Sequence, residues 1–369
     1  MADLFIIKDK ETLHEVLHEL VKMRVSDVFI TKGKPIGIRK VGEVVRTTYV
    51  APDEDVLIEF LNSAGDVQIK GKLSDMSNYP AGQIDGAISI PKADNQTQRF
   101  RYNFFRALDT ETMRQTVKIS LRPLSDNIPS PEELLLPPKL MQTIDAVKQG
   151  LVLICGKTGQ GKSTTLASML QHRADKYKEH IITLEQPIEY ILRSNHSIVS
   201  QREVGISTDS FASGLRAALR QNPDTILVGE IRDRETAEIA LSAAESGHIV
   251  FGTLHTSNAA QSIERFINIF PTDAQPSVWN VLSTALKAIV CQILVKDTEG
   301  HRVAVREILF VNNSISAYIK QQDLQGVRRG LESGFHDFGM LNWNKAAEIL
   351  GKQGLISDET KKEIIALGD

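Results

Sequence analysis

Apolar residues at Leu13, Val16, Leu17, Leu20 and Val21 recur at helical spacing, so residues 11–23 are predicted to form a helix with one buried face. The period then changes. Short β-like runs follow at Asp27–Thr31, Pro35–Lys40, 86–90, 99–105 and 116–122, with Gly33, Gly37 and Gly42 placed as turns. This part reads as a small mixed α+β domain, residues 1–123.

Residues 123–138 hold five prolines, with Asn127 and Ser130 between them. Proline fixes φ and removes amide donors, so 124–138 is expected to be a linker or a rigid irregular crossing. Beyond it, from 139 to 369, the pattern alternates. Apolar, β-branched runs stand at 151–155, 181–185, 225–230, Ile249–Leu254 and 303–310. Helix-like stretches stand at 162–174, 209–221, 234–246, 258–268 and 277–291, and two or three terminal helices at 340–367. Strand and helix in alternation predict an α/β domain with a largely parallel sheet covered on both faces.

Composition narrows the class. With 41 % hydrophobic residues the chain is globular, and its formal net charge of -3 supplies no general basic field for nucleic acid. No window approaches the roughly 20 apolar residues of a membrane span. Met1–Ile7 lacks a basic region followed by a long apolar core, so no secretory signal is expected. The two cysteines, Cys155 and Cys291, sit among apolar residues and are expected to be buried thiols in a reducing compartment.

The chemistry starts at Gly156-Lys157-Thr158-Gly159-Gln160-Gly161-Lys162-Ser163, which fits G-x-x-x-x-G-K-[ST] between a predicted strand and a predicted helix. The glycines let backbone N–H groups face phosphate oxygens, and the helix N-terminus adds partial positive charge. Lys162 is placed to reach the β- and γ-phosphates of ATP and Ser163 to ligate Mg²⁺, with Thr164 closing the loop. The strand 225–230 ends in Glu230, a carboxylate at the sheet edge where α/β ligands bind, able to hold Mg²⁺ through water or to position attacking water. Ile181-Ile182-Thr183-Leu184-Glu185 repeats the pattern and makes Glu185, with Glu189 beyond it, a second acidic candidate. His248 and His255 flank a strand, and His255 can report on the γ-phosphate by a hydrogen bond. A further match, His14-Glu15-Val16-Leu17-His18, has the zincin spacing. The helix's apolar face already explains its packing and no third ligand follows, so no zinc site is expected there.

The stretch Gln201-Arg202-Glu203-Val204-Gly205, then Phe211, then Leu215-Arg216-Ala217-Ala218-Leu219-Arg220-Gln221-Asn222-Pro223-Asp224, then 226–233, resembles the PilT family of type IV pilus and secretion ATPases. Ser26-Asp27-Val28 and the strands after it look like that family's PAS-like N-terminal domain. Gly339-Met340 and Gln353-Gly354-Leu355-Ile356-Ser357 are similar to its C-terminus. The resemblance implies a RecA-like P-loop ATPase core. It makes 156–163 the Walker A loop, 185–189 the Asp box, 226–230 Walker B with Glu230 as catalytic carboxylate, and 247–255 the His box. It also implies a hexameric ring, in which Arg101, Arg122, Arg106 and Arg114 are candidate arginine fingers. The expected setting is the cytoplasmic face of the inner membrane, docked on secretion or pilus machine components. The pilus motors usually carry Glu-Asp-Pro where this chain has Glu185-Gln186-Pro187, one negative charge fewer, which shifts metal binding toward Glu185 and Glu230. The chain's character is most similar to the DotB and TraJ type IVB secretion ATPases. A pilus retraction motor, a small-molecule phosphotransferase, a RecA-like nucleic-acid motor and a non-catalytic ATP-binding scaffold are the alternatives.

Overall fold

Asp9 accepts a hydrogen bond from the Thr12 amide at 2.7 Å and so caps the first helix, α1 (Lys10–Lys22), which buries Leu13, Val16, Leu17 and Leu20. The computed structural model describes residues 4–40, 42–64, 83–91, 97–124 and 127–366. Ser125 and Asp126 of the Pro-rich stretch, and residue 367 of the terminal helices, lie outside them. The chain divides into two compact units, Met1–Asn127 with Pro187–Tyr190, and Ile128–Gln186 with Ile191–Asp369.

The first unit holds a seven-stranded sheet in the order β1-β4-β3-β2-β7-β6-β5. Its strands are β1 (Phe5–Ile6), β2 (Asp27–Thr31), β3 (Pro35–Lys40), β4 (Glu43–Val50), β5 (Gln83–Pro91), β6 (Thr97–Asp109) and β7 (Arg114–Pro123). Val28 and Ile30, Ile36 and Ile38, Phe100, Tyr102 and Phe104, and Val117, Ile119 and Leu121 alternate inward from successive strands. They pack with α1 and with Leu57, Phe60 and Leu61 of α2 (Glu54–Ala64). Period-2 alternation of this kind is what a sheet with one covered face requires.

The second unit begins with the Pro-rich crossing and α3 (Pro138–Ala146), then β8 (Gly150–Cys155), α4 (Lys162–Lys176), β9 (His180–Glu185), β10 (Ile198–Glu203), α5 (Phe211–Ala218) and β11 (Thr225–Val228). It continues through α6 (Arg234–Glu245), β12 (Ile249–Leu254), α7 (Ala259–Ile267), α8 (Gln275–Ala285), β13 (Leu286–Lys296) and β14 (Arg302–Phe310). It closes with α9 (Asn313–Lys320), α10 (Leu324–Ser333), α11 (Phe335–Phe338), α12 (Trp343–Lys352) and α13 (Asp358–Ile365). The sheet order is β10-β9-β11-β12-β8-β13-β14, parallel except for the antiparallel edge strand β14. Every residue of β8, β11 and β12 is buried, because helices cover both faces of the sheet centre. Cys155 and Cys291 are free, buried and in register on β8 and β13.

Three expectations need correction. Gly37 is not a turn: it lies inside β3, paired with Phe29 of β2 and Arg46 of β4. Residues 277–291 are not one helix: α8 stops at Ala285 and the chain runs on as β13 from Leu286. The apolar run 288–291 suits a helix face and a doubly buried strand equally, and only pairing with β8 and β14 decides between them. Strand β11 ends at Val228, so Glu230 stands two residues beyond it. Strands β4 and β10 escape the apolar pattern because, apart from Glu203, none of their residues is buried.

One core carboxylate makes the second unit pH-sensitive. Glu307 on β14 is 5 % exposed, and its Oε1 accepts from the Ala259 amide at the start of α7, at 2.7 Å. Burial raises its pKa to about 7. The folded state therefore holds this proton more tightly than the unfolded chain. Stability from this group is full below about pH 4.5 and falls as pH rises to about 7. Glu307→Gln removes the charge and keeps the acceptor. Between pH 4.5 and 7.5 the variant is expected to gain up to about 3 kcal/mol on the wild type, read from urea midpoints. A gap that does not change with pH would refute the assignment.

Candidate functional site

The phosphate loop leaves the buried end of β8 and enters α4. Gly156 has φ +147° and sits so close to β13 that a Cβ would lie 2.5 Å from the Gln292 carbonyl oxygen. Gly161 is the left-handed N-cap of α4 at φ +76°, and a Cβ there would lie 2.9 Å from Gln292 Nε2. Only glycine fits at either end of the loop. Between them Lys157, Thr158 and Gly159 are exposed, while Gln160, Lys162, Ser163 and Thr164 are half-buried. Lys162 Nζ donates to the carbonyls of Gly156 at 2.7 Å and Lys157 at 3.0 Å, so the ammonium spans the mouth of the loop. Ser163 follows in the first turn of α4, where the helix N-terminus faces the same mouth.

Sheet order lines up the remaining groups. The carboxyl edges of β8, β12, β11 and β9 carry, in that order, the phosphate loop, His255, Glu230 and Glu185. At the usual strand spacing Glu230 is rooted about 10 Å from β8 and Glu185 about 14 Å. The backbone around Glu230 is fixed on both sides. The Gly229 amide donates to the Leu184 carbonyl at 2.7 Å, and the Ile231 amide to Thr253 at 3.1 Å. The Glu230 carboxylate is mostly buried and held by two side chains. Arg232 ion-pairs with both its oxygens, and His255 Nε2 lies 3.0 Å from Oε1. The bond to Glu230 raises the Arg232 pKa.

Glu185 is tied differently. Its Oε1 accepts from Thr183 Oγ1 at 2.7 Å and Gln201 Nε2 at 3.0 Å. His248 is separate from this row: its Nδ1 lies 3.0 Å from the Ala243 carbonyl at the end of α6. In the first unit Arg101 and Arg122 are cross-strand neighbours on the exposed face of β6 and β7, and Arg122 forks onto Asp27 at 2.9 and 3.1 Å. Arg106 pairs instead with Glu54 of α2 at 2.7 Å, and Arg114 is exposed at the start of β7. His14 packs on the Phe60 ring and His18 Nε2 lies 2.8 Å from the Pro91 carbonyl. Among the described residues no three His, Cys, Asp or Glu side chains gather around one point.

The cradle fits a polyphosphate and its metal. Mg²⁺ on such a loop takes a hydroxyl, waters and substrate phosphates, with a carboxylate reached through water; Ser163 would offer the hydroxyl and Glu230 the carboxylate. Sequence reasoning missed Arg232, Gln201, Gln292 and Arg306. Arg232 was legible two residues after Glu230. Gln292 carried one signal, a polar residue inside the apolar run Val290-Cys291-Gln292-Ile293-Leu294.

Comparison with known proteins adds kinship. Residues 9–332 match the Type II/IV secretion system protein family. The type IV pilus retraction ATPase PilT of Pseudomonas aeruginosa is 35 % identical over 349 residues, 95 % of this chain and 96 % of that protein. The crystal structure of the pilus retraction motor PilT with bound ADP superposes with a TM-score of 0.83 at 38 % identity, covering 97 % of each chain. The ATPase DotB of Legionella pneumophila gives 0.80 at 27 % identity over 99 % of each. Among the described residues no helix is long and apolar enough to cross a membrane.

Proposed function

The chain belongs to the type II/IV secretion system protein family, as a PilT-type motor ATPase related to DotB, and from that premise we propose that it hydrolyses Mg-ATP as one subunit of a hexameric ring. The ring drives export or assembly in a type IV, DotB-like secretion system from the cytoplasmic face of the inner membrane, docked on components of that machine. The observation that carries the reading is the row at the carboxyl edge of one sheet: phosphate loop, His255, Glu230. PilT, its structural neighbour, holds ADP.

Each residue has a role derived from its place. The loop amides, Lys162 and the α4 N-terminus bind and orient the phosphates and neutralise charge as the terminal bond breaks. Ser163, and Glu230 through water, would hold Mg²⁺, which would supply charge neutralisation at the phosphates. Glu230 orients and deprotonates the attacking water once Arg232, which is 70 % exposed, swings off it. His255 steadies the Glu230 carboxylate. Glu185, one strand farther out and bonded to Thr183 and Gln201, would reach a metal through water. Arg101 and Arg122, and behind them Arg106 and Arg114, are charge-stabilising arginines offered to a nucleotide on another subunit.

Specific ATPase activity measured against protein concentration, with light scattering on the same samples, tests the ring. The rate per subunit is expected to rise as hexamers form. A rate that stays flat while scattering shows dissociation to monomers would exclude a shared site. A pilus retraction role is the second reading, favoured by the 35 % identity to a retraction ATPase over nearly the whole chain. Restoration of pilus-dependent motility in a strain lacking its retraction ATPase would select that reading over secretion.

A further inference from the structure

Behind the phosphate loop lies a buried polar cluster that the proposed chemistry does not use. Arg306 on β14 is 4 % exposed, and among the described residues no carboxylate stands within ion-pair distance of it. Burial lowers its pKa only to about 10, so the guanidinium is charged at neutral pH. A buried, unpaired cation is costly, and an apolar side chain of similar volume would serve packing as well or better. Packing alone does not account for an arginine here.

Its contacts show what it holds. Arg306 Nε donates to Gln292 Oε1 at 2.8 Å, and the same oxygen accepts from Thr165 Oγ1 at 2.8 Å. Two donors on Oε1 fix the orientation of the Gln292 amide. Its Nε2 is thereby turned toward the phosphate loop, where it donates to the Gln160 carbonyl at 2.6 Å. The side chain of Gln160 in turn accepts from the Leu294 amide. Gln292 thus grips the loop, the first turns of α4 and, by the close approaches at Gly156 and Gly161, both ends of the glycine cradle. The other side of the guanidinium reaches the Pro-rich crossing: Nη1 donates to the Leu134 carbonyl at 2.9 Å. Next to it Leu135 has φ +52°, a left-handed conformation that a leucine holds only when its neighbours enforce it.

We propose that Arg306 is a positioning residue for nucleotide binding, which acts through Gln292 to set the phosphate loop and through Leu134 to couple that loop to the segment 128–138. The proposal rests on the nucleotide-binding reading above. It makes the segment a lever. A shift of the Leu134 carbonyl reorients the guanidinium, loosens the Gln292 amide and changes how well the loop amides converge on phosphate.

The test compares wild type with Arg306→Met, Gln292→Met, the double variant and Arg306→Lys. Kd for a non-hydrolysable Mg-ATP analogue is measured by calorimetry, beside kcat and KM for ATP. Arg306→Met is expected to raise Kd and KM on the order of tenfold, with kcat changed less than about threefold. Gln292→Met is expected to match it, and the double variant to lose no more than either single one, as for residues acting in series. Arg306→Lys keeps the charge and one bond to Gln292 and recovers part of the affinity. Wild-type Kd in Arg306→Met, or losses that multiply in the double variant, would overturn the proposal. If Arg306→Met does not fold, Arg306→Lys decides: unchanged Kd and KM refute the coupling, and a several-fold rise with kcat retained supports it. Failure of the wild type itself to bind the analogue would sink the nucleotide reading, a different result from any of these.

Discussion

Lys162→Ala is expected to lower ATP turnover by on the order of 10²- to 10³-fold, equivalent to about 3–4 kcal/mol of transition-state stabilisation. The loop carries two full charges, and of these the Lys157 side chain is exposed while the half-buried Lys162 ammonium folds back over the loop carbonyls. It donates to the carbonyls of Gly156 and Lys157, loop atoms that it can leave for phosphate oxygens. Alanine keeps the helix N-terminus and the loop amides, so ADP affinity should fall far less than kcat. The rest of α4 is anchored by buried Thr165, Leu166, Met169 and Leu170, and the fold should survive. Turnover of the variant at the wild-type rate in a coupled ADP-release assay would remove the site from residues 156–163.

Glu230→Gln is the second large effect. The amide matches the carboxylate in shape and can neither accept a proton from water nor pair with Arg232. Turnover is expected to drop by at least about a hundredfold while ATP binding is retained or tightened. Since Arg232 holds the carboxylate in this structure, Arg232→Ala separates two explanations. If Glu230 acts on water, freeing it costs turnover no more than severalfold. If the ion pair itself is the working element, Arg232→Ala falls as far as Glu230→Gln. Single-turnover measurements at saturating ATP make the comparison, and equal losses would rule out the water-activating role.

Much of this was legible along the chain, for a definite reason. The phosphate loop is local: eight consecutive residues carry the glycines, the lysine and the hydroxyl, and the strand and helix that aim them are its immediate neighbours. The alternation of buried strands and capped helices likewise announces a covered parallel sheet, because burial on both faces demands unbroken apolar runs. Glu230 and Glu185 stood out as candidates because each stands at the end of such a run. Family kinship was readable from several motifs in order.

What the sequence could not supply were relations between distant residues. Strand order is one: that β12 separates β8 from β11, and so puts His255 between the phosphate loop and Glu230, depends on which edges pair. The fate of residues 286–296 is another, since the apolar residues 288–291 suit a helix until β8 and β14 flank them. The pairing of Glu230 with His255 spans 25 residues and that of Thr165 with Gln292 spans 127. By itself the sequence determined the chemistry available, a phosphate cradle with carboxylates in an α/β sheet, because those signals are local or periodic. Only the tertiary structure decided which groups meet, because hydrogen bonds and buried charges answer to distance in space, and distance along the chain does not encode it.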